Sequence, residues 1–239
     1  MPSLDRLISH SRRAVEQRRE SNPLEGLARA VDDLAPIRPF SESIVGDEIN
    51  FVLRPGAIDN GLLELASHAE VAGVSATLDL VAAAAAGTLP VMLADLVIDS
   101  YQLYEARVMG VDGLILVAAA FEDDDDGFCE LYDTAGEIGL DVVLEVAHED
   151  EIEHVLDLVD PDSFLIRNTD ESDHVDFERT FSLLEEVPAG KVVLSQGGVR
   201  TRDHVIALER AGVDAAILGP WIIDSGLKET LRVLRGEAR

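Results

Sequence analysis

Lysine is almost missing from this chain. Of 239 residues only Lys191 and Lys228 are lysine, and the other basic residues are arginine. A mechanism that needs two lysines in one site would have to use both. There is one cysteine, Cys129, which excludes an internal disulfide and any multi-cysteine metal site. Its spacing with Phe128 and Leu131 reads as helix packing. No apolar run reaches the length of a membrane span. The first twenty residues hold no apolar core of the signal-peptide kind. A cytoplasmic protein is the expectation. Positive charge is scarce overall: 19 basic residues face 47 acidic ones, a formal net charge of -28. Nucleic-acid binding is excluded, because a polyphosphate partner needs a basic face. Docking on anionic lipid is excluded on the same ground.

What is present is 47% hydrophobic residues, too many for a disordered acidic tail. Abundant acid with little lysine fits a halophilic protein, whose carboxylate surface stays hydrated while salt screens its self-repulsion. A genome rich in arginine codons would leave the same lysine scarcity. The run from Glu122 to Gly127 lacks the spaced pattern of a calcium loop and reads as a solvated loop capping the next helix. No metal site and no cofactor are expected.

The first 45 residues read as an arginine-rich helical extension, and residues 46–239 as the main body of one domain. Leu4, Leu7, Ile8 and Val15 recur at helical spacing, and a second helix runs from Leu24 to Leu34. From residue 49 onward, β-type runs alternate with helices. The strands are expected at 49–53, 74–78, 91–93, 113–117, 142–146, 163–166, 192–194 and 215–218. Amphipathic helices fall at 99–109, 127–138, 149–159, 177–187 and 202–211. Gly110 and Gly212 follow two of these helices and supply left-handed C-caps. Eight such units point to a (β/α)8 TIM barrel. No G-x-G-x-x-G follows the first strand, so a dinucleotide-binding sheet has little support. The second unit is short, because the alanine-rich stretch 82–86 leaves room for two or three helical turns and almost no loop.

Several segments resemble the indole-3-glycerol-phosphate synthase family of tryptophan biosynthesis. They are Arg12 to Arg18 with Pro23-Leu24, residues 89–107 (LPVMLADLVIDSYQLYEAR), 143–149 (VLEVAHE), 193–202 (VLSQGGVRTR) and 211–219 (AGVDAAILG). The resemblance implies a barrel whose site lies at the C-terminal ends of the strands. It also implies a lyase chemistry that closes an indole ring with loss of carbon dioxide and water, driven by a general acid and its partners. The residues that family uses are mostly replaced. Its strand 3 lysine falls on Ala94, and its strand 1 glutamate and lysine fall on Phe51 and Leu53. Its strand 6 asparagine and arginine fall on Arg167 and Thr169, with Asn168 between them. Its strand 7 glutamate and serine fall on Gln196 and Gly197. Only one of its carboxylates survives, as Glu145. No lysine is near enough in sequence to substitute.

At the expected mouth, Gly197, Gly198 and Gly219 allow close backbone approach to a phosphate. Pro220 removes one N–H donor there. Trp221 and the pair Phe51 and Leu53 could plug the opening. Arg54 and Arg167 could grip a carboxylate or phosphate, with Asn168 a further ligand-binding candidate beside them, or the arginines could pair with Glu145 or Asp170 instead. Glu145 is the one candidate catalytic carboxylate. His148 and His174 are possible acid–base groups, His148 reading as structural. The reading taken is a divergent synthase-like barrel with a degenerate site that binds an anionic small molecule or a protein partner. The alternatives are an enzyme of another reaction class on a phosphorylated or carboxylated substrate, and a true synthase with an unconventional site. A partner-binding role would call for an exposed apolar patch beside the shortened second unit.

Overall fold

The computed structural model describes residues 4–237 apart from 171 and 173. The helices before the barrel are α1 (Leu4–Ser21), α2 (Leu24–Asp32) and α3 (Phe40–Ser43). Strands and helices then alternate: β1 (Asn50–Leu53), α4 (Asn60–His68), β2 (Gly73–Ala76), α5 (Leu78–Ala85), β3 (Val91–Leu93) and α6 (Ser100–Val108). They continue as β4 (Gly113–Val117), α7 (Asp125–Glu137), β5 (Asp141–Val146), α8 (Glu149–Leu158), β6 (Ser163–Arg167) and α9 (Arg179–Leu184). The last are β7 (Val192–Gln196), α10 (Arg202–Ala211), β8 (Ala215–Leu218), α11 (Trp221–Asp224) and α12 (Leu227–Arg235). All neighbouring strands are parallel and β1 pairs with β8, so the sheet closes into a (β/α)8 barrel.

Each strand is buried on both faces, as parallel strands under helices must be. The inward set is Val52, Met92, Ile115, Val143, Leu165, Leu194 and Ile217. The outward set, including Phe51, Leu53, Leu114, Leu144, Phe164 and Leu218, packs under the helices. The barrel's N-terminal end is stoppered from below by α3. Phe40 and Ile44 are fully buried within the inward set. Ser41 N–H and its hydroxyl both donate to Asp141 at the start of β5, at 2.9 and 3.0 Å. Gly73 opens β2 without a side chain because a Cβ there would lie 2.8 Å from Phe40 Cε2.

The arginine-rich helices lie along α6. Val15, Leu27 and Tyr101 form a small cluster. Arg18 pairs with Glu105 at 2.9 Å and Arg19 with Asp99 at 2.5 Å, while Ser11 Oγ donates to the Leu96 carbonyl. Arg18 and Arg19 thus answer acid on and just before the helix that α1 packs against. The N-terminal end of α1 reaches the opposite rim of the barrel.

The second unit is as short as expected. β2 ends at Ala76 rather than at residue 78, Thr77 alone forms the link, and α5 has eight residues. Leu78 already belongs to the helix, its N–H donating to Asp95 Oδ2 at 2.5 Å. Asp124 caps α7 by accepting from Gly127 N–H at 3.1 Å, so the acidic run is a helix cap with a solvated loop. Among the described residues no three metal-ligating side chains converge. No helix there is long and apolar enough to cross a membrane. Among the described residues the exposed large apolar side chains are Leu7, Leu34, Val45, Leu65, Val175 and Val233, from six separate segments and none from α5.

Twenty-eight net negative charges on a chain this size repel one another in the compact state. Molar KCl is therefore expected to raise the melting temperature by about 10 °C over low salt, an effect of a few kcal/mol. Thermal melts across a KCl series, with sucrose as an uncharged control, check this. A melting temperature that does not move with KCl would show that the acidic surface carries no electrostatic cost.

Candidate functional site

A cavity of about 500 Å³ opens at the C-terminal ends of the strands. It lies over β3 to β7 with one contribution from β1. Its floor is Ile115, Val117 and Ala94, and its far wall is Leu4 and Leu7 of α1 with Leu96. Into this apolar cup project Arg54, Glu145, Arg167, Arg179 and Gln196. Their placement follows from strand alternation. With Val52 inward, Arg54 two residues on is inward too, and so are Glu145 after Val143 and Arg167 after Leu165.

Glu145 is the most enclosed of these groups. Its side chain keeps 11% exposure and lies 2.9 Å from Arg167 Nε. That oxygen sits off the N–H direction, so Nε–H is left without an in-line acceptor among the described residues. Burial pushes the Glu145 carboxyl above its ordinary range, and the Arg167 and Arg54 charges pull it only part of the way back. Arg54 spans the mouth. Its Nη1 donates to Gln196 Oε1 at 2.8 Å and its Nη2 to the Ala94 carbonyl at 3.1 Å. Burial lowers its pKa, with Glu145 and Asp95 opposing. An arginine stays charged nonetheless.

The other carboxylates on the wall are held by backbone. Asp95 accepts from Leu78 N–H, and Glu151 accepts from Ala147 and His148 N–H at the head of α8. Asp170 accepts from Ser172 and His174 N–H, which holds its pKa below the usual carboxylate range. His148 caps α8 and touches the cavity edge. The backbone of His174 closes the Asp170 turn, and the residue does not line the cavity. Arg179 Nη1 donates to the Arg167 carbonyl at 3.0 Å.

Several expectations need correction. Phe51 and Leu53 do not face the mouth and cannot plug it. Both are about 1% exposed and pack outward against Ala66, Val71, Leu208 and Leu231. The inward positions of β1 are Val52 and Arg54. Asn168 does not reach the cavity either. Fully buried, it donates to Ser195 Oγ at 3.1 Å and the Gly197 carbonyl at 3.0 Å, and accepts from Thr180 Oγ1. Gly197, Gly198 and Gly219 lie outside the lining. Gly197 and Gly198 have φ of 104° and 89°, and side chains there would meet Thr169 Oγ1 and Phe177. Trp221 lies under the Arg200 guanidinium at 4.4 Å and leaves the pocket open. The cavity cation missed from sequence is Arg179. An arginine in the first turn of a helix opposes the helix dipole, and that misfit was the available signal.

A closed (β/α)8 barrel with charged side chains gathered at its C-terminal rim is the architecture of barrel enzymes. Residues 70–234 match the profile of the family described as indole-3-glycerol phosphate synthase, and the chain belongs to that family. Among curated relatives, the indole-3-glycerol phosphate synthase of Caldanaerobacter subterraneus subsp. tengcongensis is 39% identical over 153 residues, 62% of this chain and 58% of that protein. That of Lachnospira eligens is 38% identical over 60% of this chain and 54% of the relative. In both the chain spans little more than half of the relative's length. That of Alkaliphilus metalliredigens is 25% identical with 97% of both chains covered. Among solved structures, a mutant tryptophan synthase alpha-subunit from Pyrococcus furiosus superposes with a TM-score of 0.61 at 16% identity. It covers 80% of this chain and 99% of its own, and shares the fold.

Proposed function

We propose that this member of the family does not run the ring-closing decarboxylation and keeps its barrel mouth as a receptor for an anionic small molecule. One observation carries the reading. The Arg54 guanidinium bridges the Ala94 carbonyl and the Gln196 amide, two positions where the family resemblance calls for a lysine and a carboxylate. A guanidinium is a permanent cation with donors only. An amide does not titrate. The mouth therefore binds charge at the places where the family chemistry has to move protons.

Incubation with the anthranilate-derived ribulose phosphate, followed by indole-glycerol-phosphate fluorescence in low and molar KCl, is expected to show no turnover above buffer. Turnover that survives purification and disappears in Glu145→Gln would refute the proposal. Glu145 favours a second reading, a different proton-transfer reaction on the same anion. Its carboxyl is buried, held high and aimed into the cavity, which suits a general acid or base. Product formation from some other carboxylate or phosphate ester, lost in Glu145→Gln with binding retained, would select that reading.

A further inference from the structure

We propose that the ligand of this mouth is an unphosphorylated monocarboxylate with an apolar body, held through its carboxylate by Arg54 and Arg179. The inference rests on the reading of the mouth as an anion receptor and specifies the anion.

Three observations converge. The first is that the cavity does not extend to the usual place for a phosphate. In such barrels a phosphate sits on backbone N–H groups after the seventh and eighth strands and on a short helix N-terminus. Here Gly197, Gly198 and Gly219 do not line the cavity. The helix that follows β8 has four residues and is led by Pro220, which has no N–H to offer. The loop after β1 lies against that proline, the Cβ position of Gly56 falling 3.7 Å from Pro220 Cγ.

The second is charge. Of the three guanidiniums on the wall, Arg167 is engaged by Glu145. Among the described residues no carboxylate pairs with Arg54 or Arg179, whose partners are an amide and backbone carbonyls. The two flank one step of the barrel. Arg179 binds the carbonyl of Arg167, Arg167 lies opposite Gln196 in the β6–β7 ladder, and Gln196 binds Arg54. The same wall holds the four carboxylates Asp95, Glu145, Glu151 and Asp170. A phosphate dianion would be repelled by them. A single carboxylate meets these two forks with half that charge, and its planar shape suits them.

The third is shape. Leu4, Leu7, Leu96, Ile115 and Val117 make the rest of the wall apolar, at a volume typical of small-molecule sites. They give an aromatic ring or a short alkyl chain something to bury.

The test is calorimetric titration in molar KCl with benzoate, hexanoate, formate, inorganic phosphate and glycerol 3-phosphate. Benzoate and hexanoate are expected to bind at least tenfold tighter than formate or either phosphate. Arg54→Met and Arg179→Met should each weaken benzoate about tenfold, while Arg200→Met, outside the cavity, leaves it unchanged. Leu7→Ser should weaken benzoate and leave formate alone. Melting curves of each variant show that it is folded. Glycerol 3-phosphate binding more tightly than benzoate would overturn the inference and leave the receptor reading standing. Benzoate binding indifferent to both arginines would also overturn it. No binding by any anion to the folded protein would overturn the receptor reading itself.

Discussion

Replacing Phe40 with alanine is expected to cost about 3–5 kcal/mol of unfolding free energy, the range for deleting a buried aromatic side chain from a core. The reason lies in where the ring sits. Phe40 is fully buried in the barrel axis, beneath Val52, Met92, Ile115, Val143 and Leu165. It stands below the floor of the barrel, and the backbone around it is already tied down. Ser41 is held by Asp141, Arg38 N–H donates to Asp112 Oδ1 at 2.8 Å, and Asp112 Oδ2 takes Val91 N–H. With both ends fixed, α3 cannot sink into the void that alanine leaves, so the cavity persists. Urea unfolding at constant KCl measures the loss. Phe40→Leu should cost much less, because it keeps most of the volume. Gly73→Ala gives an independent check, since its methyl would enter 2.8 Å from Phe40 Cε2 and 3.2 Å from the Pro90 carbonyl. Part of that penalty should vanish in the Phe40→Leu background. A Phe40→Ala loss under about 1.5 kcal/mol would mean that the ring is not packed in the barrel floor.

Legibility of the sequence divides along physical lines. The strand positions were readable because each parallel strand is a short apolar run bounded by glycine, aspartate or proline. Helix ends were readable where a cap marks them, as at Asp124 and Gly212. The inward face of β1 was not readable. Phe51, Val52 and Leu53 are all buried, one toward the axis and two toward the helices, so no polar alternation separates the faces. A slip of one residue exchanges them, and with it Arg54 takes the inward place that was assigned to Leu53. The end of β2 was blurred because Leu78 and Leu80 continue the apolar run into α5. Asn168 looked like a ligand because it is polar at a strand end. The structure spends all its hydrogen bonds on Ser195, Thr180 and Gly197 instead. The missing N–H donor after β8 was legible, in Pro220. The crowding beside Gly197 and Gly198 comes from Thr169 and Phe177 elsewhere in the chain, and no local pattern carries that.

Removing the arginine beside Glu145 should change both the size and the pH dependence of stability. Arg167→Met leaves a carboxylate with 11% side-chain exposure facing an apolar neighbour. Breaking a buried pair in this way costs about 3–5 kcal/mol. The lower end is expected, because Arg167 itself keeps 28% exposure and its Nε meets the carboxylate off axis. The sign with pH follows from burial. Glu145 already titrates above its ordinary range in the folded protein, with burial the largest cause. Between the ordinary value and the raised one, the folded state keeps a proton that the unfolded chain has released. Stability from this group therefore falls as pH rises through that window. Arg167 is the larger of the two charges that pull the value down, so its loss moves the upper edge of the window higher. Urea unfolding from about pH 5 to about pH 8 should show a steeper loss in Arg167→Met than in the parent. Glu145→Gln in the same background should flatten the curve and restore much of the neutral-pH stability, since an amide has no charge to bury. A variant that loses under about 1 kcal/mol, with the parent's pH dependence, would show that the pair behaves as a solvated surface contact. Glu145 would then have no enclosed, elevated carboxyl to offer to a proton transfer, and of the two readings of this mouth only the receptor would remain.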